Sequence, residues 1–126
     1  MRLRILFAED NPRDRAPVSE YLIEKGCDVV EVCDPDQAQV ALKEGTFDAI
    51  ILDLIMPEDN PEGGKEVLKY MKRHGISTPV ILATAWGYNG PAQDATRANP
   101  EVVKCILTKT FTPKELWAAL SEVTRH

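Results

Sequence analysis

The stretch Asp48-Ala49-Ile50-Ile51-Leu52-Asp53-Leu54-Ile55-Met56-Pro57 decides how this chain is read. Its mostly apolar run has the length of a buried strand. An ionised carboxylate is costly to bury without partners, so Asp53 belongs at the strand tip, pushed out into a loop. A second apolar run, Leu3-Arg4-Ile5-Leu6-Phe7-Ala8, ends the same way, in Glu9-Asp10. Two buried strands that each deliver acids at their C-terminal ends suggest one shared acidic pocket. In an open parallel α/β sheet, that edge is where ligands bind.

Working outward, strands and helices alternate without linker, repeat or low-complexity segment. Asn11-Pro12 predicts a helix start, with Asn11 as N-cap, and Gly26 its end. Pro17 lies inside that helix and predicts a kink or a delayed start. Strand two is expected at residues 28–32. Asp34-Pro35-Asp36-Gln37 opens a second helix in capping-box form, stopping at Gly45. Strand three covers residues 49–52. A Pro-, Gly- and acid-rich loop spans 56–64, and a third helix runs from about 65 to 74. Strand four is expected at 79–83, a loop at 86–91 and a short helix at 92–98. Strand five covers 102–107, and Thr112-Pro113-Lys114-Glu115 opens the last helix with a capping box. Five βα units with right-handed crossovers place helices on both faces of one parallel sheet.

The bulk numbers agree. The 126 residues make one ordinary domain, and 44% hydrophobic with 28% charged residues suits a soluble globule. The net charge of −5 comes without a basic run, which argues against a nucleic-acid surface. No apolar stretch reaches membrane-spanning length, and no secretory signal opens the chain. Cys27, Cys33 and Cys105 lack metal spacing and read as reduced core or near-core thiols, which makes a cytoplasmic location the default. Trp86 reads as a partly exposed loop aromatic. His74 complements a helix C-terminus, and His126 is terminal.

The strand ends then assemble a chemistry. Strand one offers Glu9 and Asp10, strand three Asp53, strand four Thr84 before the small Ala85, and strand five Lys109. Three carboxylates in one pocket repel each other and call for a hard cation. Oxygen ligands with room for water point to Mg²⁺. A free oxygen of Asp53 can then attack phosphorus, giving an aspartyl phosphate. Mg²⁺, the Lys109 ammonium and the Thr84 hydroxyl suit the charge spread over a transferred phosphoryl group.

These residues carry a resemblance. Glu9-Asp10, Asp53 with Met56-Pro57, Thr84-Ala85, and Lys109 with Phe111 stand in the order of a bacterial two-component response regulator receiver domain (the CheY-like family). The chain resembles that family over essentially its whole length, residues 1–126 forming a single receiver domain. The resemblance implies a flavodoxin-like, doubly wound α/β fold with a five-stranded parallel sheet in order 2-1-3-4-5. It implies that Asp53 accepts a phosphoryl group from a histidine kinase or phosphotransfer protein. Asp10 and the Ile55 main-chain carbonyl would bind Mg²⁺ directly, Asp53 would share it, and Glu9 would act through water. Thr84 and Lys109 would hold the phosphoryl group. The domain would catalyse only its own phosphorylation and dephosphorylation. It would switch a surface around helix four, strand five and helix five, for a downstream protein or for a covalently linked output domain missing here. A homodimer through that surface is compatible with it. Direct nucleic-acid or membrane contact is not expected.

Three positions depart from the family pattern. Thr110 follows Lys109 where the family has Pro after a cis bond, so this bond is either strained or trans, and a trans bond would re-aim Lys109. Ile106 stands where a Tyr or Phe switch residue is usual. Residues 58–64 lengthen a loop that is usually a compact Asp-Gly turn and add negative charge beside the pocket. Thr110 and Ile106 motivate a second reading, an interaction module of receiver fold that binds a partner without phosphorylation. Two enzyme classes fit worse. A flavin binder needs a Ser/Thr/Gly-rich loop where Glu9-Asp10-Asn11-Pro12 stands, and a haloacid-dehalogenase-type phosphatase needs a second acid at the position of Ile55.

Overall fold

The computed structural model of the chain describes residues 2–85 and 90–125. The expected loop aromatic Trp86, most of the loop expected at 86–91, and His126 lie outside the described residues. The elements follow in strict alternation: β1 (Arg4–Ala8), α1 (Pro12–Glu24), β2 (Asp28–Val32), α2 (Pro35–Glu44), β3 (Ala49–Leu52), α3 (Gly63–Arg73), β4 (Val80–Thr84), α4 (Pro91–Ala98), β5 (Val103–Thr108) and α5 (Pro113–Val123). All strand pairs are parallel and the sheet order is β2-β1-β3-β4-β5.

Side chains alternate across a strand, and here both alternate sets are apolar. Leu6, Ala8, Ile50, Leu52 and Leu82 face one core with Ala38, Leu42, Val67, Leu68, Met71 and Ala95 from α2, α3 and α4. Ile5, Phe7, Ala49, Ile51 and Ile81 face the other with Val18, Leu22, Leu116 and Leu120 from α1 and α5. Residues of β1, β3 and β4 are thus buried from both sides, the condition that makes a parallel sheet's central strands continuous hydrophobic runs.

Local chemistry sets the helix ends. Asn11 accepts the Arg13 N–H at 2.9 Å, and the Thr112–Glu115 box is reciprocal, at 3.0 and 3.1 Å. At α2 the Asp34 carboxylate accepts the Gln37 N–H at 2.7 Å, but the Gln37 side chain reaches back to the Cys33 N–H rather than to Asp34. Pro17 does not delay α1, which runs from Pro12 through it. Its missing donor would have served the Arg13 carbonyl, and both residues are exposed, so solvent can take that acceptor. Three strands are shifted by one residue from expectation: β1 begins at Arg4, and β4 and β5 end at Thr84 and Thr108. Helix α3 starts two residues earlier, at Gly63.

That early start has a packing reason. A Cβ on Gly63 would lie 1.7 Å from the Met56 carbonyl oxygen, and one on Gly64 would lie 2.5 Å from Leu54 Cα and 2.7 Å from the Asp53 carbonyl oxygen. The α3 N-terminus is pressed onto the backbone that follows β3, and the Gly64 N–H donates to the Leu54 carbonyl at 2.8 Å.

Gly64→Ala is therefore expected to cost about 1–3 kcal/mol in urea unfolding, as overpacking against backbone does. Thr112→Ala, which removes one half of the capping box, is expected to cost about 1 kcal/mol. Equal effects of the two on the geometry around Asp53, compared by amide chemical shifts, would contradict the packing argument, because only Gly64 touches that segment.

Candidate functional site

Three residues of the site are fixed by one device. Glu9, Asp53 and Lys109 each lie one residue beyond a strand and donate their backbone N–H to the last carbonyl of the neighbouring strand: Glu9 to Val32 at 3.0 Å, Asp53 to Ala8 at 3.1 Å and Lys109 to Thr84 at 2.8 Å. The parallel ladder is extended by one rung at each place. The side chains leave the sheet along its C-terminal edge as neighbours.

The structure brings the sequence-predicted residues together. Glu9, Asp53 and Thr84 are buried, at 3%, 5% and 4% exposure, and Asp10 is half-buried. One carboxylate oxygen from each of Glu9, Asp10 and Asp53 falls within 4.8 Å of the others. The Lys109 ammonium lies 2.8 Å from Asp53 Oδ2 and 2.9 Å from Glu9 Oε1. The other Glu9 oxygen accepts the Asn11 N–H at 3.2 Å, and Asp53 Oδ1 accepts the Ile55 N–H at 3.2 Å. Asp10, Asp53, Ile55, Thr84, Ala85 and Lys109 line one open cleft of about 370 Å³.

Among the described residues only the Met56–Pro57 peptide bond is cis, so Lys109–Thr110 is trans. The expected re-aiming of Lys109 by a trans bond does not occur: the ammonium reaches Asp53. The long lysine stem spans the gap, with the Lys109 N–H already fixed on Thr84. Ile106 sits half-buried in β5, paired with Leu82 and packed against the α2–α4 core.

Burial raises the Asp53 carboxyl above the ordinary carboxylate range, and the Lys109 ammonium opposes this without cancelling it. Glu9 is raised by burial too, again against the pull of Lys109. Burial disfavours the Lys109 charge, but bonds to Asp53 and Glu9 outweigh it and hold its proton more tightly than usual. The described cluster has more carboxylates than cations, and its donors are hard oxygens. That set fits a hard divalent ion such as Mg²⁺.

Two features were not read from the sequence. Asp14, exposed in the first turn of α1, places a carboxylate 3.6 Å from the Lys109 ammonium. Its position four residues after Asp10, on a helix that starts beside the acids, was the available signal. The longer loop after Met56 adds acids as expected, but it also adds a donor. The Glu58 N–H binds Asp10 Oδ2 at 2.8 Å, and the loop is closed by Met56 and Gly63 N–H bonds to the Asn60 carbonyl. No composition signal reports a backbone donor's aim.

The response regulator receiver domain family matches residues 5–121. The chain is 33% identical over 124 residues to the transcriptional regulatory protein TcrA of Mycobacterium tuberculosis, covering 98% of this chain and 47% of that protein. It is 34% identical over 128 residues to the phosphate regulon transcriptional regulatory protein PhoB of Escherichia coli, covering 100% of this chain and 53% of that one. The chain thus spans about half the length of these relatives. Among solved structures, it superposes with a TM-score of 0.78 on the receiver domain of the sensor histidine kinase PA1611 from Pseudomonas aeruginosa, at 26% identity with 98% of each chain covered. That structure holds a magnesium ion in its active-site cleft. The Francisella response regulator 1452 receiver domain shares the fold at a TM-score of 0.80, with 23% identity over 97% of this chain and 96% of that one. No helix among the described residues is long and apolar enough to cross a membrane. With its parallel sheet in this order and its acids and lysine gathered at one edge, this chain belongs to the response regulator receiver domain family of two-component systems.

Proposed function

We propose that residues 1–126 form a single receiver domain in which Asp53 accepts a phosphoryl group, in a Mg²⁺-dependent reaction, from a histidine kinase or phosphotransfer protein. The observation that carries this is the buried Asp53 carboxylate, bonded at 2.8 Å to Lys109 and clustered with Glu9 and Asp10 at the C-terminal edge of the sheet. An Asp53 oxygen forms a bond to phosphorus as the P–N bond of a phosphohistidine breaks, and the electron pair leaves with the imidazole nitrogen. Asp10, Asp53 and the Ile55 main-chain carbonyl would hold Mg²⁺, with Glu9 acting through water. The ion would neutralise charge on the phosphoryl oxygens. Lys109 contributes a charge-assisted donor to those oxygens, and Thr84, buried at the end of β4, a hydroxyl.

The domain catalyses its own phosphorylation and dephosphorylation and no other turnover. It acts in the cytoplasm and passes its state to a downstream protein, or to an output domain joined to it in a longer chain. Dimerisation through the α4, β5 and α5 face is compatible with this. The second reading, an interaction module that works without phosphorylation, is favoured by Ile106 in place of an aromatic switch residue. The trans Lys109–Thr110 bond no longer supports it, since Lys109 reaches Asp53.

Incubation with acetyl phosphate and Mg²⁺, read by intact mass, is expected to add one phosphoryl group to the wild-type chain and none to Asp53→Asn. Omitting Mg²⁺ should abolish the addition. If neither acetyl phosphate nor a phosphohistidine protein modifies the wild type, the interaction-module reading takes its place. Uptake by Asp53→Asn would remove Asp53 as the acceptor.

The same variant tests the electrostatics. Glu9 and Asp53 bind protons more tightly in the folded metal-free protein than unfolded, so their contribution weakens stability as pH rises from the ordinary carboxylate range through the raised values. Metal-free Asp53→Asn is expected to melt above the wild type at pH 7, with the gap closing as the pH falls into the ordinary carboxylate range. Mg²⁺ at a hundredfold excess over its Kd should stabilise the wild type by about 2.7 kcal/mol and the variant by less. A variant that melts below the wild type at pH 7 without metal would show that Asp53 is net stabilising.

A further inference from the structure

Arg15 stands apart from the acid–lysine set but binds its backbone. The guanidinium of this half-buried α1 residue donates through one nitrogen to the Glu9 carbonyl at 2.8 Å, to the Asp10 carbonyl at 3.4 Å and to Cys33 Sγ at 3.3 Å. Its Nε lies 3.7 Å from Glu31 Oε1. Glu31 belongs to β2, and its other oxygen accepts a hydrogen bond from the buried Ser19 hydroxyl of α1. One planar cation thus joins the first turns of α1, the end of β2 and the two carbonyls that set the direction of the acidic pair.

We propose that Arg15 is a positioning residue for the metal site. It fixes the backbone of Glu9 and Asp10, so that their carboxylates are held toward Asp53 before an ion arrives, and the Glu31–Ser19 pair fixes Arg15. This rests on the Mg²⁺ reading above. The guanidinium ties the Asp10 carbonyl to α1, and without it the loop between β1 and α1 has more directions in which to aim its acids. Partners that orient metal ligands without touching the metal contribute about 10–100-fold to affinity. One guanidinium nitrogen meets the carbonyls while Nε of the same rigid plane faces Glu31, and a lysine ammonium, a single point on a flexible stem, does not hold both ends at once.

The sign of the effect separates positioning from charge. Arg15 is a cation beside a cation site. If it acted through its field alone, Arg15→Met would bind Mg²⁺ more tightly and Arg15→Lys would bind it as the wild type does. Positioning predicts weaker binding in both. The test is calorimetric titration of Mg²⁺ into wild type, Arg15→Met and Arg15→Lys at a temperature well below each variant's metal-free Tm, which confirms that each is folded. A Kd raised about 10-fold or more in Arg15→Met, and raised in Arg15→Lys, is the expected result. Should Arg15→Met not fold, Arg15→Lys decides alone, since it keeps the charge. Unchanged or tighter binding in the folded variants would overturn the proposal and leave the metal site standing. A wild type that takes up no Mg²⁺ would remove the metal site, and this inference with it.

Discussion

One ammonium group offsets part of the charge in a pocket of buried acids. Lys109 lies within 3 Å of both Glu9 and Asp53, and Asp14 adds a more distant carboxylate. Burial penalises all three inner charges, and they are held as a set because each compensates another. The compensation is incomplete: both carboxyls remain raised although Lys109 is firmly protonated. A pocket short of positive charge, with hard oxygen donors facing inward, has the chemistry that suits a divalent cation.

The position of that ammonium depends on the register of the whole sheet. Ala8 pairs with Leu52, Leu52 with Leu82, and Thr84 with Thr108, so the strands end nearly level. Parallel pairing sends every C-terminus to the same edge, and the additional backbone bonds of Glu9, Asp53 and Lys109 carry the ladder one residue into the site. A slip of one residue in β5 would turn its side chains to the opposite face and take Lys109 out of reach. The two apolar cores, one on each face, hold that register.

The loop after β3 shows how a longer segment can be accommodated without moving the acceptor. Gly63 and Gly64 let α3 begin directly against the backbone of residues 53–56, where any side chain would collide. The added residues are closed on Asn60, and the Glu58 N–H is directed onto Asp10. The insertion therefore both adds acidic charge at the cleft and spends one backbone donor on an acid that would otherwise repel its neighbours.

Much of this molecule was determined by the sequence itself. Mostly apolar runs in residues 3–8, 49–52 and 79–83 report strands buried on both faces, and Asn11, Asp34 and Thr112 report helix starts, because both signals are local: burial period and a cap's reach to the next turn. The acids at strand ends were legible for the same reason, since a charge terminating an apolar run has only one cheap place to go. That Lys109 belongs to the pocket was legible from its place after strand five; whether a trans bond re-aims it was not, because that depends on the Thr84 carbonyl and on how far a flexible stem must reach across two strands. Nor were the early start of α3, the Asp14 contact, the Glu58 donor and the Arg15 clamp. Each joins groups distant in the sequence or depends on where a backbone N–H points, and those are set only when the sheet register and the helix packing bring them together.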